Sequence, residues 1–301
     1  MESLDWIAVD WGTSHLRAWA MGPGGEVLDG AQSGDGMGGL DRDGFEPALL
    51  LLIGPWLGDS PVTVLACGMV GARQGWCEAA YQPVPCKPAE TGLTAAPTTD
   101  PRLNVLILPG LSQASPPDVM RGEETQILGA LTDAPDFDGV ICLPGTHTKW
   151  AHISAGEVVS FQTVMTGELF ALLSDQSVLR HSVKADAPDA DAFDAALSET
   201  LSRPEKLAHA LFGIRAGDLL TDQDAAQARG RLSGLLIGAE LAATRPYWLG
   251  RDILICGAPA LSALYARALT SQGAMAKTVD GDALTLNGLR RAYRILKEGQ
   301  A

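Results

Sequence analysis

Basic residues are scarce in this chain: 22 lysines and arginines stand against 36 aspartates and glutamates, a formal net charge of −14. Nucleic acids and anionic membranes are gripped through basic patches, so neither is expected as a partner. A small anionic substrate would need locally placed arginines working against that field. Cysteine is sparse as well. Cys67, Cys77, Cys86, Cys142 and Cys256 are scattered, form no C-x-x-C and show no paired His/Cys metal spacing. An odd, dispersed set predicts small core residues in a reducing compartment, not a disulfide framework. Long apolar runs are missing too. No stretch reaches the roughly 18–20 residues of a membrane span, and Asp5 interrupts a signal-peptide reading of the N-terminus. These absences predict a cytoplasmic protein.

What is present is a well-packed composition, 46% hydrophobic over 301 residues, enough for two medium domains. Near the N-terminus, "IAVDWGTSHLRAW" (7–19) climbs to Asp10, breaks at Gly12-Thr13-Ser14 and resumes as an alternating strand through Leu16, Ala18 and Ala20. Residues 7–29 can be laid over "VICLPGTHTKWAHISAGEVVSF" (140–161), so that Gly12-Thr13 falls on Gly145-Thr146. With the second turn shortened by two residues, Gly25-Glu26-Val27 then falls on Gly156-Glu157-Val158. Both copies read as strand, Gly-Thr turn, strand, glycine turn, strand: an antiparallel meander.

Around the meanders the pattern is α/β. Strands are predicted at 61–69, 103–111 and 252–259, and helices at 45–57, around 191–212 and 223–244, at 260–269 and at 287–299. Residues 83–101, rich in Pro, Thr and Ala, predict a long surface loop, and 184–193 an acidic connection. "GLLIGAELAA" (234–243), with small residues along one face, predicts an interdomain helix, though an ordinary core helix would read almost the same. Trp6, Trp11 and Trp19 are expected to pack rather than to stack on a ligand. Lys149, in an alternating strand, either faces solvent or reaches a ligand at the turn.

A strand that ends in Gly-Thr-Ser exposes backbone N–H groups and hydroxyls in a tight concavity, an arrangement suited to phosphate oxygens. Asp10 at the strand end can hold Mg²⁺ through water, because a hard cation bound to phosphates takes only one or two carboxylates. The second turn has Leu143 where the first has Asp10, so any proton-accepting carboxylate must come from elsewhere. In "RGEETQILGAL" (121–131), Gly122 precedes Glu123 and Glu124 at the start of a helical run. The positive end of the helix dipole favours an ionised, proton-accepting carboxylate there, although acidic residues at helix starts are also commonplace dipole partners.

"VDWGTSHLRA" resembles the first phosphate motif of the actin/hexokinase/heat-shock-chaperone superfamily, most closely the carbohydrate kinases in which it ends in an arginine, here Arg17. "LPGTHTKW" resembles the second phosphate motif and "ILICGAPALSALYARAL" the adenosine motif. The stretches "VLACGMVGARQGW" (64–76), "DVMRGEETQILGAL" (118–131), "LPGTHTKW" (143–150) and "TVMTGELFALL" (163–173) together resemble the 2-dehydro-3-deoxygalactonokinase family. That resemblance implies two ribonuclease-H-like (actin-like ATPase) domains with an interdomain cleft. It places a first lobe at 1–132 and a second at 133–301, with the last helix packing back on the first. It implies ATP and Mg²⁺, with Asp10 organising the metal and Gly12, Thr13, Ser14, Arg17, Gly145, Thr146 and His147 holding phosphates. Gly257, Ala258 and Pro259 would border the adenosine. For His147 a strand-edge polar role is as good a reading.

Related carbohydrate kinases place an aspartate base just after a glycine, which points to Glu123, whereas related exopolyphosphatases place a glutamate one residue later, which points to Glu124. The acceptor would carry a carboxylate, suited to planar arginine recognition. Arg73, with Gln74 beside it, matches a sugar-contacting turn of the family, and Arg121 is the second candidate. The implied activity is phosphorylation of 2-dehydro-3-deoxy-D-galactonate to its 6-phosphate in galactonate degradation. The gluconate epimer, another sugar acid, and an exopolyphosphatase-like hydrolysis remain as alternatives within the fold, and a non-catalytic sugar-acid sensor outside it. Monomer and homodimer are both compatible with the sequence.

Overall fold

The computed structural model describes residues 3–89 and 92–299. The chain forms a mixed α/β fold with three sheets and divides into two compact units. One comprises Met1–Asp138, Ile153–Ser160 and Gly281–Ala301; the other comprises Gly139–His152 and Phe161–Asp280.

The first unit opens with β1 (Trp6–Trp11), β2 (Leu16–Met21) and β3 (Val27–Ser33), followed by α1 (Phe45–Ile53) and β4 (Val62–Gly68). β5 (Tyr81–Pro83), β6 (Thr94–Ala95), β7 (Leu103–Ile107), β8 (Gly110–Ala114), β9 (Pro117–Met120) and α2 (Glu123–Asp133) complete its N-terminal run. β1 is apolar on both faces apart from Asp10, as expected for a strand with a parallel neighbour and layers above and below. β2 alternates because only one of its faces meets the core. The six-stranded sheet runs β3-β2-β1-β4-β7-β6, with β1–β2 and β2–β3 antiparallel and β1–β4 and β4–β7 parallel. A small sheet, β5-β8-β9, accompanies it. Within the 83–101 segment, among the described residues, Pro83 at the end of β5 and the two-residue β6 lie in strands and Cys86 forms a β-bridge with Val158; residues 90 and 91 lie outside the described residues.

The second unit holds β10 (Gly139–Leu143), β11 (Thr148–Ser154) as far as His152 and β12 (Glu157–Val164) from Phe161, then α3 (Thr166–Asp175), α4 (Ala190–Ser202), α5 (Leu207–Leu220), α6 (Ala225–Ala243) and α7 (Arg245–Trp248). β13 (Ile253–Gly257), α8 (Pro259–Ser271) and β14 (Ala276–Asp280) follow. Its sheet order, β12-β11-β10-β13-β14, repeats the order β3-β2-β1-β4-β7 of the first sheet, with β10–β13 and β13–β14 parallel. The internal sequence similarity is thus a repeat of topology. Its second turns use the same device, since Gly25 and Gly156 both take positive φ, +83° and +75°.

α6 packs on α4 of the same unit. A Cβ at Gly234 would stand 2.3 Å from the Phe193 carbonyl oxygen, so the small residues of α6 serve this close crossing. Residues 184–193 are only partly a connection, because Asp189 caps α4 by accepting from the Ala192 N–H at 2.8 Å. Lys149 is 5% exposed, in contrast to the solvent-facing position that alternation allowed, because β11 is covered on both faces along Thr148–Ala151.

The last helix, α9 (Gly281–Glu298), buries Leu284, Thr285, Gly288, Leu289, Ala292 and Tyr293, the i, i+1, i+4, i+5 stripe of an amphipathic helix. It begins six residues before the predicted 287 and lies in the first unit, against α2. A Cβ at Gly288 would fall 1.9 Å from the Thr125 carbonyl oxygen and one at Gly129 would fall 2.0 Å from that of Leu284, so the two helices touch backbone to backbone. Trp6 stacks on Tyr293 with ring centroids 4.3 Å apart, and Trp11 lies against Phe45 and Trp76; both indoles are core.

Candidate active site

In the first unit, Asp10 ends β1 and stands opposite Arg17 in the β1–β2 register. The Arg17 guanidinium donates to the Asp10 carboxylate at 2.5 Å and reaches Asp282, at the start of α9, at 2.7 Å. Burial opposes its charge, but the two carboxylates outweigh burial and hold its pKa above the usual arginine value. In the intervening turn the Gly12 N–H closes on the His15 carbonyl oxygen at 2.9 Å, and Thr13 and Ser14 are exposed. One carboxylate beside a hydroxylated turn is the donor set expected for a cation carried mainly by phosphates and water. Among the described residues no three His, Cys, Asp or Glu side chains form a metal-binding group.

Two glycines bring the start of α2 to this strand end. Gly68, the last residue of β4, has φ +92°, and a Cβ there would lie 2.8 Å from the Trp11 carbonyl oxygen. Gly122 has φ +105°, and its Cβ would sit 3.5 Å from the Gly68 Cα. The two glutamates that follow are not equivalent. Glu124 is 1% exposed; its carboxyl accepts the Gly122 N–H at 2.6 Å and the Thr125 hydroxyl at 3.0 Å. Burial first, and then the neighbouring Glu123 charge, push its pKa up to about 8 in spite of those hydrogen bonds. Glu123 is half-buried and accepts the Arg121 backbone N–H at 3.1 Å. Cys67, between these acids and Asp10, has its thiol pushed up by burial, then by Asp10 and Glu124, which makes it an inert thiol.

The two candidate arginines differ just as sharply. Arg73 and Gln74 are exposed on the turn after β4, and Arg73 pairs with Glu78 at 3.3 Å. Arg121 is 9% exposed, donates to the Ala79 carbonyl oxygen at 2.7 Å and lies 4.3 Å from the centre of the Tyr81 ring. It pins the 71–81 segment, which carries Arg73 and Gln74.

The second unit has its own concavity, a pocket of about 510 Å³. Gly145 and Thr146 form one wall, the first turns of α3 a second, Leu236 and Ile237 of α6 a third, and Ala260, Leu261, Leu264 and Tyr265 of α8 a fourth. The Arg229 guanidinium lies 5.0 Å from the centre of the Phe170 ring at its rim. A Cβ on Gly145 would meet nothing within 4 Å, so this glycine faces open space. A Cβ on Gly167 would collide with the Gly145 carbonyl oxygen at 2.1 Å, so α3 abuts the turn. His147 is held by Glu168 of α3 at 2.6 Å. Gly257 sits beside Pro144, where a Cβ would lie 3.2 Å from the carbonyl oxygen, while Ala258 and Pro259 are exposed at the start of α8.

The structure therefore gathers Asp10, Gly12–Ser14, Arg17, Arg73, Gln74, Arg121, Glu123 and Glu124 in one unit, and Gly145–His147 with Gly257–Pro259 in the other. Sequence reasoning missed Asp282, the second partner of Arg17, and Glu168, the partner of His147. It also missed Glu240, a buried carboxyl beneath the pocket. Asp282 and Glu240 stand far along the chain from their partners, and no local spacing signals them.

The family described as 2-keto-3-deoxy-galactonokinase matches residues 10–292. A Rhizobium meliloti (strain 1021) protein given as a probable 2-dehydro-3-deoxygalactonokinase is 40% identical over 297 residues, 97% of each chain. The 2-dehydro-3-deoxygalactonokinase of Escherichia coli (strain K12) is 37% identical over 290 residues, 95% of this chain and 96% of that one. Among solved structures, a candidate 2-dehydro-3-deoxygalactonokinase from Sinorhizobium meliloti superposes with a TM-score of 0.90 at 40% identity, covering 97% of this chain and 99% of that chain. The ADPNP-bound activator of a 2-hydroxyisocaproyl-CoA dehydratase from Clostridium difficile shares the fold at 12% identity, with a TM-score of 0.51 and coverage of 98% and 96%.

Proposed function

The chain belongs to the 2-keto-3-deoxy-galactonokinase family, and from that membership we propose how its residues divide the work of an ATP-dependent kinase that converts 2-dehydro-3-deoxy-D-galactonate to its 6-phosphate. The observation that carries the reading is the 40% identity over 97% of both chains. The two units are the ribonuclease-H-like halves of an actin-like ATPase, and each contributes a Gly-Thr turn suited to the phosphate oxygens of ATP. Thr13 and Ser14 in one unit, and Thr146 and His147 in the other, hold its phosphate oxygens. Asp10 would hold Mg²⁺, and the bound ion would supply charge neutralisation on the phosphates. Arg17 leaves Asp10 for the phosphates while Asp282 keeps its guanidinium oriented. Adenosine occupies the pocket below Ala260 and Leu261.

Glu123 is the base. It is the more exposed of the pair, and the raised pKa of Glu124 keeps that neighbour protonated at neutral pH. Glu123 takes the proton of the terminal hydroxyl as that oxygen bonds to the γ-phosphorus and the bond to ADP breaks. Alignment and charge neutralisation supply most of the acceleration in such a transfer. Arg73 and Gln74, exposed on their turn, take the acceptor's carboxylate and hydroxyls, and Arg121 fixes the turn from beneath.

A coupled ADP-release assay tests the reading with the 2-keto-3-deoxy acids of galactonate and gluconate, the parent aldonic acids, glycerol and no acceptor. ADP release that requires the galactonate derivative is expected; release indifferent to acceptor would refute a kinase and favour a phosphohydrolase. Glu123→Gln should lower kcat by roughly 10²-fold or more with ATP affinity unchanged, and near-normal turnover would remove the base assignment.

A further inference from the structure

Glu240 on α6 is 2% exposed, and among the described residues no cation pairs with it. A carboxyl in such a place is costly, and an apolar side chain of similar volume would fill it more cheaply. Its surroundings give the reason for its presence. Trp150 Nε1 donates to one carboxyl oxygen at 2.8 Å. The Tyr265 hydroxyl donates to the other at 2.7 Å, and the Thr166 hydroxyl makes a short hydrogen bond to the same oxygen. The Tyr265 hydroxyl is also 3.0 Å from that of Thr148. Each donor comes from a different element. Thr148 and Trp150 start the strand that leaves the 145–147 turn; Thr166 opens α3, whose Glu168 N–H donates to the Thr146 carbonyl oxygen at 2.9 Å. Tyr265 belongs to α8, the helix that Pro259 opens after Gly257 and Ala258. Thr166 and Tyr265 also line the 510 Å³ pocket.

We propose that Glu240 is the positioning residue of the nucleotide pocket, one carboxyl that holds the phosphate turn, α3 and α8 at the separation ATP requires. The inference rests on the kinase reading for its ligand and goes beyond it in assigning a residue that touches neither substrate. The physical argument is that three buried donors on three elements share a single acceptor group. Without it Trp150 Nε1 and the Thr166 hydroxyl lose their acceptor and the Tyr265 hydroxyl keeps Thr148 alone, and the least costly relief is for α3 and α8 to shift until water enters. The pocket then loses its fit to the nucleotide, while Glu123, Arg73 and Gln74, which belong to the other unit, are untouched.

The test uses the full chain with Glu240→Leu, Glu240→Gln and Tyr265→Phe, reading steady-state kinetics in both substrates and binding of a non-hydrolysable ATP analogue without acceptor. Glu240→Leu should raise the KM for ATP and weaken analogue binding by roughly ten-fold or more, with kcat at saturating ATP and the KM for the sugar acid within about two-fold. Glu240→Gln should recover most of the loss: its amide oxygen can accept from Trp150 and its amide nitrogen can donate to Tyr265, whose hydroxyl turns to Thr148. Tyr265→Phe removes one donor and should raise the KM for ATP a few-fold, which keeps the test open if the leucine variant does not fold. Unchanged ATP affinity in the folded variants, or a fall in kcat with no change in the KM for ATP, overturns the proposal. If the wild type transfers no phosphate to any sugar acid, the kinase reading fails instead, and analogue binding still decides the role of Glu240.

Discussion

Glu124 offers a prediction whose size can be worked from its surroundings. Its carboxyl has a pKa of about 8 in the folded protein against 4.5 for the unperturbed group. Between those values the folded state keeps a proton that the unfolded chain has released. Stability linked to this group is therefore fully present below about pH 4.5 and is lost as pH rises through about 8. From pH 6 to pH 8 the loss accrues at about 1.4 kcal/mol per pH unit, then tapers as the folded form also ionises, giving about 3 kcal/mol by pH 9. Glu124→Gln removes the titration and keeps the contacts: the amide oxygen can accept the Gly122 N–H and the amide nitrogen can donate to the Thr125 hydroxyl. Thermal unfolding of both proteins at pH 6, 7, 8 and 9 isolates the effect, because every other titrating group is shared. The gap in Tm should widen in favour of the variant by on the order of 5–10 °C across that range. A gap that stays constant from pH 6 to pH 9 would refute both the neutral carboxyl and the reasoning that passes the base role to Glu123.

Three further outcomes follow from the same contacts. Gly145→Ala places a Cβ in open space, so Tm should hold within about 1 °C, while the KM for ATP rises because the methyl projects where phosphate is proposed to bind; an unchanged KM would place the phosphates elsewhere. Gly288→Ala drives a Cβ to 1.9 Å from the Thr125 carbonyl oxygen, which should cost about 1–3 kcal/mol and be seen as a lowered Tm, with α2 displaced and kcat reduced as Glu123 moves. Asp10→Asn leaves Arg17 its Asp282 partner, so the fold should survive with a near-native circular dichroism spectrum while Mg²⁺-dependent turnover falls by roughly 10²-fold or more; activity retained at saturating Mg²⁺ would remove Asp10 from the metal site.

Much of the framework was legible in the sequence because its signals are local. The 7–11 run reads as a buried strand and is β1; 45–57 reads as a helix and contains α1; Gly-Ala-Pro after an apolar strand marks the β13–α8 turn, where Pro259 opens the helix without needing its missing N–H. The doubled meander was legible because both copies need a glycine at the same positive-φ turn. Other features were less accessible. α9 begins at Gly281 although its amphipathic pattern is clearest only from Leu284. The third sheet, β5-β8-β9, rests on strands of three to five residues whose pairing a periodicity cannot reveal. Lys149 alternates like a surface residue, yet both faces of its strand are covered.

By itself, then, the sequence determined the longer elements, the repeat and the chemical inventory: an aspartate at a strand end, two Gly-Thr turns, a glutamate pair at a helix start. Tertiary structure decided which members of that inventory differ from one another. Glu123 and Glu124 are adjacent and identical in type, and only burial makes one a half-exposed carboxylate and the other a neutral acid. Arg73 and Arg121 are separated by exposure, and Glu240 acquires its partners from β11, α3 and α8. Desolvation and hydrogen bonding depend on neighbours that packing supplies from distant parts of the chain, and a local pattern carries no record of them.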